Sequence, residues 1–383
     1  MRVRAAVVSE LNGPWRTEEI EIDEPHAGEV TVKMAFAGLC HSDEHLRTGD
    51  ISQDPAVLEL LSGRDTMFPI IGGHEGSGVV EAVGESVTAF APGDHVAVSF
   101  VPSCGRCEFC ASGRQYLCDL GASTLAGPMI ADGTWRHHLG DVDLNRMAQL
   151  GTFSEYIVVH ESSLVRIDPW YDLRAAALIS CGLSTGFGSA VTRGGVQPGD
   201  TVAVIGCGGV GLGAIQGARH AGARAVIAID VNPSKVERAL TLGATHGCSA
   251  TLDAAFTILP ELTRGKNCDV TIITVGVLTG EIVEQARSIT AKGGVIVATS
   301  IAPYHQSTVE LNLFALSMFN QELRGTVFGS VSPRVQIPRL LRLYSEGALK
   351  VDELITHEYT LDEVQRGYDD LASGENLRGV VRF

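Results

Sequence analysis

Four cysteines, Cys104, Cys107, Cys110 and Cys118, fall within the stretch "CGRCEFCASGRQYLC" at the spacing C-x2-C-x2-C-x7-C. A loop with this spacing can fold four thiolate sulfurs around one tetrahedral ion, and zinc is the expected occupant. Four thiolates leave no coordination position for water or substrate, so such a cage stabilises a lobe and carries no chemistry. A second set of reactive groups is scattered along the chain. "GLCHSDEH" holds Cys40, His41, Ser42, Asp43, Glu44 and His45, "IIGGHEGSG" holds His74 and Glu75, and "ISCGLSTGFG" holds Cys181. Each is ordinary alone, since a histidine beside glycines is commonly structural and a cysteine in an apolar stretch is commonly core. Brought together, Cys40, His74 and Cys181 would offer zinc two thiolates and one imidazole and leave a fourth position open, as a catalytic metal requires.

A third pattern is glycine-rich. "TVAVIGCGGVGLG" sets Gly206, Gly208 and Gly211 as G-x-G-x-x-G directly after a strand and at the start of a helix, with Gly209 and Val210 between them. The glycines permit a tight turn and let a pyrophosphate approach the helix N-terminus, where unpaired N–H groups point at the anion. Asp230 ends the next strand, nineteen residues beyond Gly211, where its carboxylate can accept hydrogen bonds from a ribose diol. The following "VNPSK" has no arginine to neutralise a 2′-phosphate, so NAD is expected over NADP.

These groups need a scaffold. With 383 residues and 45% hydrophobic content the chain is long enough for two cores. Residues 1 to about 180 read as short strands broken by glycine and proline, among them "EVTVKMAFAG", "GSGVVEAVG" and "FSEYIVVH". From about 185, near-continuous apolar strands alternate with helical stretches, which implies a parallel sheet covered on both faces. The tail from about 327 is expected to fold back onto the first domain. The expected division is therefore 1–182, completed by 327–383, and 183–326. Two polar loops, 46–67 and 131–150, stand out as segments that could shape a substrate entrance.

A formal charge of −16 disfavours nucleic acid as a partner, because no basic excess exists to displace counterions. The opening "MRVRAAVVSELNGPW" turns polar too soon for a signal segment, and the apolar runs are too short or too glycine-rich to span a membrane, so a cytoplasmic protein is expected. In that reducing compartment clustered cysteines are metal ligands rather than disulfides. Cys207, Cys248 and Cys268 have no partner at metal spacing and read as packing.

With these motifs in order along nearly its whole length, and with "GGHEGSGVVEAVGESV", "PGDHV" and "ITHEYTLDEVQRGYDDLASGENLR" besides, the chain resembles the zinc-dependent alcohol dehydrogenases of the medium-chain dehydrogenase/reductase superfamily. The resemblance implies an α/β protein with a GroES-like β-barrel catalytic domain and a Rossmann doubly wound coenzyme domain, an active-site cleft between them, and a homodimer or homotetramer. It implies two zinc ions per chain, with Cys40, His74 and Cys181 as catalytic ligands, Glu75 as an occasional replacement ligand, and Asp43 as the carboxylate orienting the histidine. It makes Ser42 the hydroxyl next to substrate and His45 the base at the far end of a proton relay. His41 and Arg378 match positions at the coenzyme pyrophosphate, Asp230 and Lys235 positions near the adenosine ribose, and Phe100 a pocket-wall aromatic. Many relatives carry arginine at the place of His41, and a neutral imidazole holds phosphate less firmly.

The activity implied is reversible oxidation of a small alcohol to an aldehyde or ketone, with hydride passing to NAD. The alternative is a thiol-dependent formaldehyde dehydrogenase, which oxidises a hydroxymethyl thiol adduct with the same zinc and NAD. In its loops the sequence is similar to actinobacterial nicotinoprotein (NDMA-dependent) enzymes, which hold NAD(H) tightly and recycle it with an external acceptor.

Overall fold

Alternating apolar residues in "EVTVKMAFAG" form the strand Glu29–Gly38, around which the first half of the molecule is organised. In this computed structural model, which describes residues 1–121, 125–249 and 258–383, the strand runs through a seven-stranded sheet. Gly76–Val83 pairs along one edge, while the other edge is shared by Tyr156–His160 and the C-terminal Gly379–Arg382. Val30, Val32 and Met34 pack with Val80, Val96, Val98, Ile157 and Val159 in one core. A six-stranded sheet built on Arg2–Val8 and Arg16–Ile22 carries a second core of Val3, Ala5, Val7, Ile20, Ile22 and Ile71. Both sheets belong to one compact unit, Met1–Cys181 with Ser332–Phe383.

The segment 131–150, read from sequence as a polar loop, instead extends the six-stranded sheet through His137–Leu139, Val142–Asp143 and Asn145–Arg146. Its strand character is masked because its inward residues are charged. Arg136 is fully buried and forks onto buried Glu29, with Nε and Nη2 at 2.8 and 2.9 Å from the two carboxylate oxygens. Arg146 donates to the carbonyls of Gln149 and Val158. Within 46–67, also read from sequence as a polar loop, a helix forms at Pro55–Ser62, with Asp54 capping Ala56 N–H and Gly63 closing the helix in the left-handed region. The two segments fasten to each other. The Arg64 guanidinium lies 4.3 Å over the Trp135 ring and donates to Asp143 O, and Asn145 Nδ2 donates to Met67 O.

The second unit, Gly182–Val331, holds a parallel six-stranded sheet. Thr201–Ile205 lies inside it, Ala225–Asp230 and His246–Ser249 lie to one side, and Cys268–Ile273, Thr290–Ala298 and Glu322–Gly325 to the other. Every residue of Thr201–Ile205 is buried, as a strand covered on both faces should be. Reversal of strand order at this strand opens a crevice at its carboxyl end, where ligands of such sheets bind.

One element escaped the sequence reading. Leu173–Gly194 is a continuous helical run of 22 residues in which two turns widen to π-type geometry. Gly182, Gly186 and Gly188 disguise it in the sequence. By length and composition it could cross a membrane, but 83% of its most apolar stretch is buried in protein.

Candidate metal and coenzyme sites

Three unrelated stretches converge at the first site. Cys40 follows the strand Glu29–Gly38 and immediately precedes the helix His41–Thr48, His74 and Glu75 lie just before Gly76–Val83, and Cys181 sits in the first π-type turn of the long helix. One potential ligand atom from each of Cys40, His74, Glu75 and Cys181 lies within 4.8 Å of the others, and all four residues are buried. Asp43, fully buried, sets the histidine. One of its oxygens is 3.0 Å from His74 Nδ1 and the other accepts Gly73 N–H at 2.6 Å. That contact occupies Nδ1 and leaves Nε2 as the ring nitrogen available to a metal.

Side chains that the sequence reading missed pin the rest of the site. Thr152 Oγ1 donates to Glu75 O at 2.9 Å, Ser180 Oγ accepts from Gly76 N–H at 3.0 Å, and Tyr368 hydroxyl donates to Cys40 O at 3.3 Å. They lie too far from their partners in sequence for any local pattern to reveal them. Phe100 stands edge-on to His74, with ring centroids 5.7 Å apart.

The electrostatics favour positive charge at the centre of this set. A hydrogen bond from Cys181 and the charges of His74 and Arg378 hold the Cys40 thiol well below its ordinary range, against its burial. Cys181, which gives that bond, is held well above its own. Burial disfavours the His74 cation, yet Asp43 and Cys40 raise its pKa well above that of an ordinary imidazole. Burial lifts Glu75 to about 7, with Arg378 opposing. Arg378 is itself buried and directed inward, donating to Glu75 Oε2 and to Leu39 O. Two thiols, one oriented imidazole and a carboxyl already matched by arginine suit a divalent zinc ion with a position left open.

Ser42 Oγ lies 3.7 Å from Cys40 Sγ at the start of the same helix. His45, one turn on, is buried rather than solvent-facing, and its Nδ1 is 2.8 Å from Asp50 Oδ2. His41 is exposed on the same helix, its ring 5.2 Å from that of His45.

The second site gathers Cys104, Cys107, Cys110 and Cys118, whose sulfurs all lie within 4.8 Å of one another. Cys104 and Cys110 sulfurs are 3.8 Å apart, and those of Cys107 and Cys118 are 4.0 Å apart. A disulfide needs about 2.05 Å, whereas four sulfurs at about 2.3 Å from a tetrahedral zinc are separated by about 3.8 Å. Backbone N–H groups point at the sulfurs, from Arg106 and Cys107 to Cys104 and from Cys110 to Cys107. Burial opposes ionisation of Cys104, but those N–H groups outweigh it and lower the thiol to about 6.

In the second unit, Gly206 has φ +93°, and a Cβ there would stand 2.6 Å from Thr274 O. A Cβ on Gly211 would run into Gly206 O, so the turn and the helix behind it close only with glycine at both places. No side chain caps the helix Gly209–His220 at Gly208, which suits its first turn to an anion. Asp230 Oδ2 accepts Cys207 N–H at 2.7 Å and Oδ1 accepts Asn232 N–H at 2.8 Å. Lys235 is half-buried in the first turn of Pro233–Thr241. Cys207 is buried in the turn, and burial pushes its thiol up to about 12, as an unreactive packing residue requires. Cys248 and Cys268 are likewise buried.

Residues 26–169 match the alcohol dehydrogenase GroES-like domain and residues 209–346 match the zinc-binding dehydrogenase family. The chain is 46% identical to the NDMA-dependent alcohol dehydrogenase of Amycolatopsis methanolica, over all of this chain and 99% of that one. It is 38% identical to S-(hydroxymethyl)glutathione dehydrogenase of Saccharomyces cerevisiae, over 99% of this chain and 95% of that one. Among solved structures, benzyl alcohol dehydrogenase of Acinetobacter calcoaceticus superposes with a TM-score of 0.88 at 28% identity, covering 100% and 99% of the two chains.

Proposed function

The chain belongs to the zinc-binding alcohol dehydrogenase family, and from that premise we propose that Cys40, His74 and Cys181 hold a catalytic zinc while Cys104, Cys107, Cys110 and Cys118 hold a second, structural one. The protein is an oxidoreductase acting on small-molecule alcohols, with a GroES-like domain followed by a doubly wound coenzyme domain. The observation that carries the zinc assignment is the buried cluster of two thiols and an imidazole, the donor set known from alcohol dehydrogenases. Bound there, zinc supplies Lewis acidity that makes an alcohol hydroxyl easier to deprotonate.

Residues of the chain do the rest. Asp43 keeps His74 oriented, and Phe100 walls the pocket beside it. Ser42 receives the hydroxyl proton, and His45 takes it up at the far end of the relay. Glu75, balanced by Arg378, stands by as a replacement ligand. NAD supplies the hydride acceptor. The backbone at Gly206, Gly208, Gly209, Val210 and Gly211 holds its pyrophosphate, assisted by His41 and Arg378, and Asp230 and Lys235 take the adenosine ribose. The inward engagement of Arg378 makes it first a partner of Glu75, so its contact with coenzyme is the weaker half of its role.

Identity to an NDMA-dependent enzyme supports a finer reading, in which NAD(H) stays bound and an external acceptor reoxidises it. The 38% relative favours the thiol-adduct reading less strongly. Self-association as a dimer or tetramer belongs to the same proposal. Glu322–Gly325 ends its sheet, and Leu313, Phe314 and Met318 beside it are 67%, 74% and 65% exposed. Nine free cysteines, four of them a metal cage, suit a cytoplasmic setting.

The decisive experiment is metal analysis and an absorbance spectrum of the purified protein, followed by an alcohol panel with NAD and with an artificial acceptor. Two zinc ions per chain and turnover of simple alcohols are expected. Turnover that requires an added thiol would replace this reading with the formaldehyde one, and turnover of no alcohol with either oxidant would end it.

A further inference from the structure

His45 is placed by the proposed function at the outer end of a proton route, yet its side chain is only 5% exposed. The chain has dealt with this through the residue that follows the helix. Gly49, with φ +89°, closes His41–Thr48 in the left-handed region and turns the backbone so that Asp50 folds back over the last turn. Asp50 Oδ2 lies 2.8 Å from His45 Nδ1 and accepts a hydrogen bond from Thr48 Oγ1 at 3.3 Å. Its side chain is 36% exposed, so the carboxylate touches the buried ring on one side and solvent on the other. A carboxylate can only accept, and a neutral imidazole carries one N–H. The proton of the neutral ring therefore sits on Nδ1, which makes Nε2 the accepting atom.

We infer that Asp50 is a positioning residue of the proton relay, holding His45 in the Nδ1–H form and stabilising the ring when it becomes protonated. The inference rests on the reading of His45 as the relay base. In the forward direction an O–H bond in the relay breaks and an N–H bond forms at Nε2. The protonated ring then gives one proton up to water at the half-exposed Asp50 edge and is neutral again. Neither residue gains or loses electrons.

The test is a double-mutant cycle on the zinc-loaded enzyme under conditions where proton release limits turnover. Asp50→Asn removes the charge at nearly constant shape and is expected to lower kcat about 10-fold with little change in KM, and to raise the solvent deuterium isotope effect. Asp50→Glu should recover part of the rate. Added imidazole should restore both Asp50→Asn and His45→Gln, because an external base bypasses both residues. The double variant should be no slower than His45→Gln alone, since residues acting as a unit are not additive.

An unimpaired His45→Gln enzyme would remove the relay reading itself. A slow His45→Gln enzyme beside an Asp50→Asn enzyme of normal rate, or losses that add in the double variant and ignore imidazole, would overturn only the role of Asp50. Thermal melting and zinc content separate either result from a folding defect. Should Asp50→Asn fail to fold, Asp50→Ser carried through the same cycle gives the same discrimination.

Discussion

Asp230 does two things with one carboxylate. Its oxygens hold the backbone on either side of the turn, at Cys207 and at Asn232, so the group is fixed in direction before any ribose arrives. A fixed negative charge favours a diol and opposes a phosphate. Asp230→Gly is expected to raise use of NADP relative to NAD about 10-fold or more, about 1.4 kcal/mol for each factor of ten. The readout is the ratio of turnover with the two nucleotides or, where nucleotide co-purifies, the identity of what denaturation releases. A wild-type enzyme indifferent between the two would contradict the role of Asp230. The residues legible in the sequence are those whose chemistry is carried by type and short spacing: the four-cysteine loop, "CHSDEH", "GGHE" and the glycine turn. Asp50, Thr152, Ser180 and Tyr368 were not legible. Asp50 looked like the start of a loop, and the others find their partners only after the chain has folded.

Among the elements, the cysteine loop and the Cys40 cluster should separate cleanly by substitution. Cys107→Ser breaks a closed cage, so zinc should fall from two to one per chain with a marked loss of thermal stability. Cys40→Ser should abolish turnover while the cage and the fold persist. Metal content, melting temperature and activity measured together check both, and a Cys107→Ser protein of normal stability would refute the structural role. Two elements show where periodicity fails as a guide. Leu173–Gly194 conceals a helix behind glycines, although that helix delivers Cys181 to the site. The segment 131–150 conceals sheet strands behind polar and charged residues, because two of the partners that make Arg136 and Arg146 tolerable inside, the Glu29 carboxylate and the Val158 carbonyl, lie elsewhere in the chain. The inner strands Thr201–Ile205 and Ala225–Asp230 were legible for the opposite reason, because burial on both faces makes them nearly continuous apolar runs.

For the molecule as a whole, Leu313, Phe314 and Met318, exposed just ahead of the edge strand Glu322–Gly325 in the chain, form an apolar group that a second copy would cover. Phe314→Asp is expected to shift the protein from oligomer to monomer in sedimentation analysis while leaving both zinc ions bound. A wild type that sediments as a monomer at micromolar concentration would dismiss the interface.

The fork between Glu29 and Arg136 has a consequence for ancestry. Both residues are buried, and losing Arg136 first strands the Glu29 charge at a cost of about 3–5 kcal/mol, whereas losing Glu29 first leaves Arg136 its ion pair with Asp132, and replacing both with apolar residues of similar volume is often neutral. The two orders of mutation therefore differ in cost, and lineages that carry this pair should inherit it intact or lose Glu29 first. Across descendants of a common ancestor the two positions should covary, although one belongs to the central strand and the other to a segment that reads as a loop.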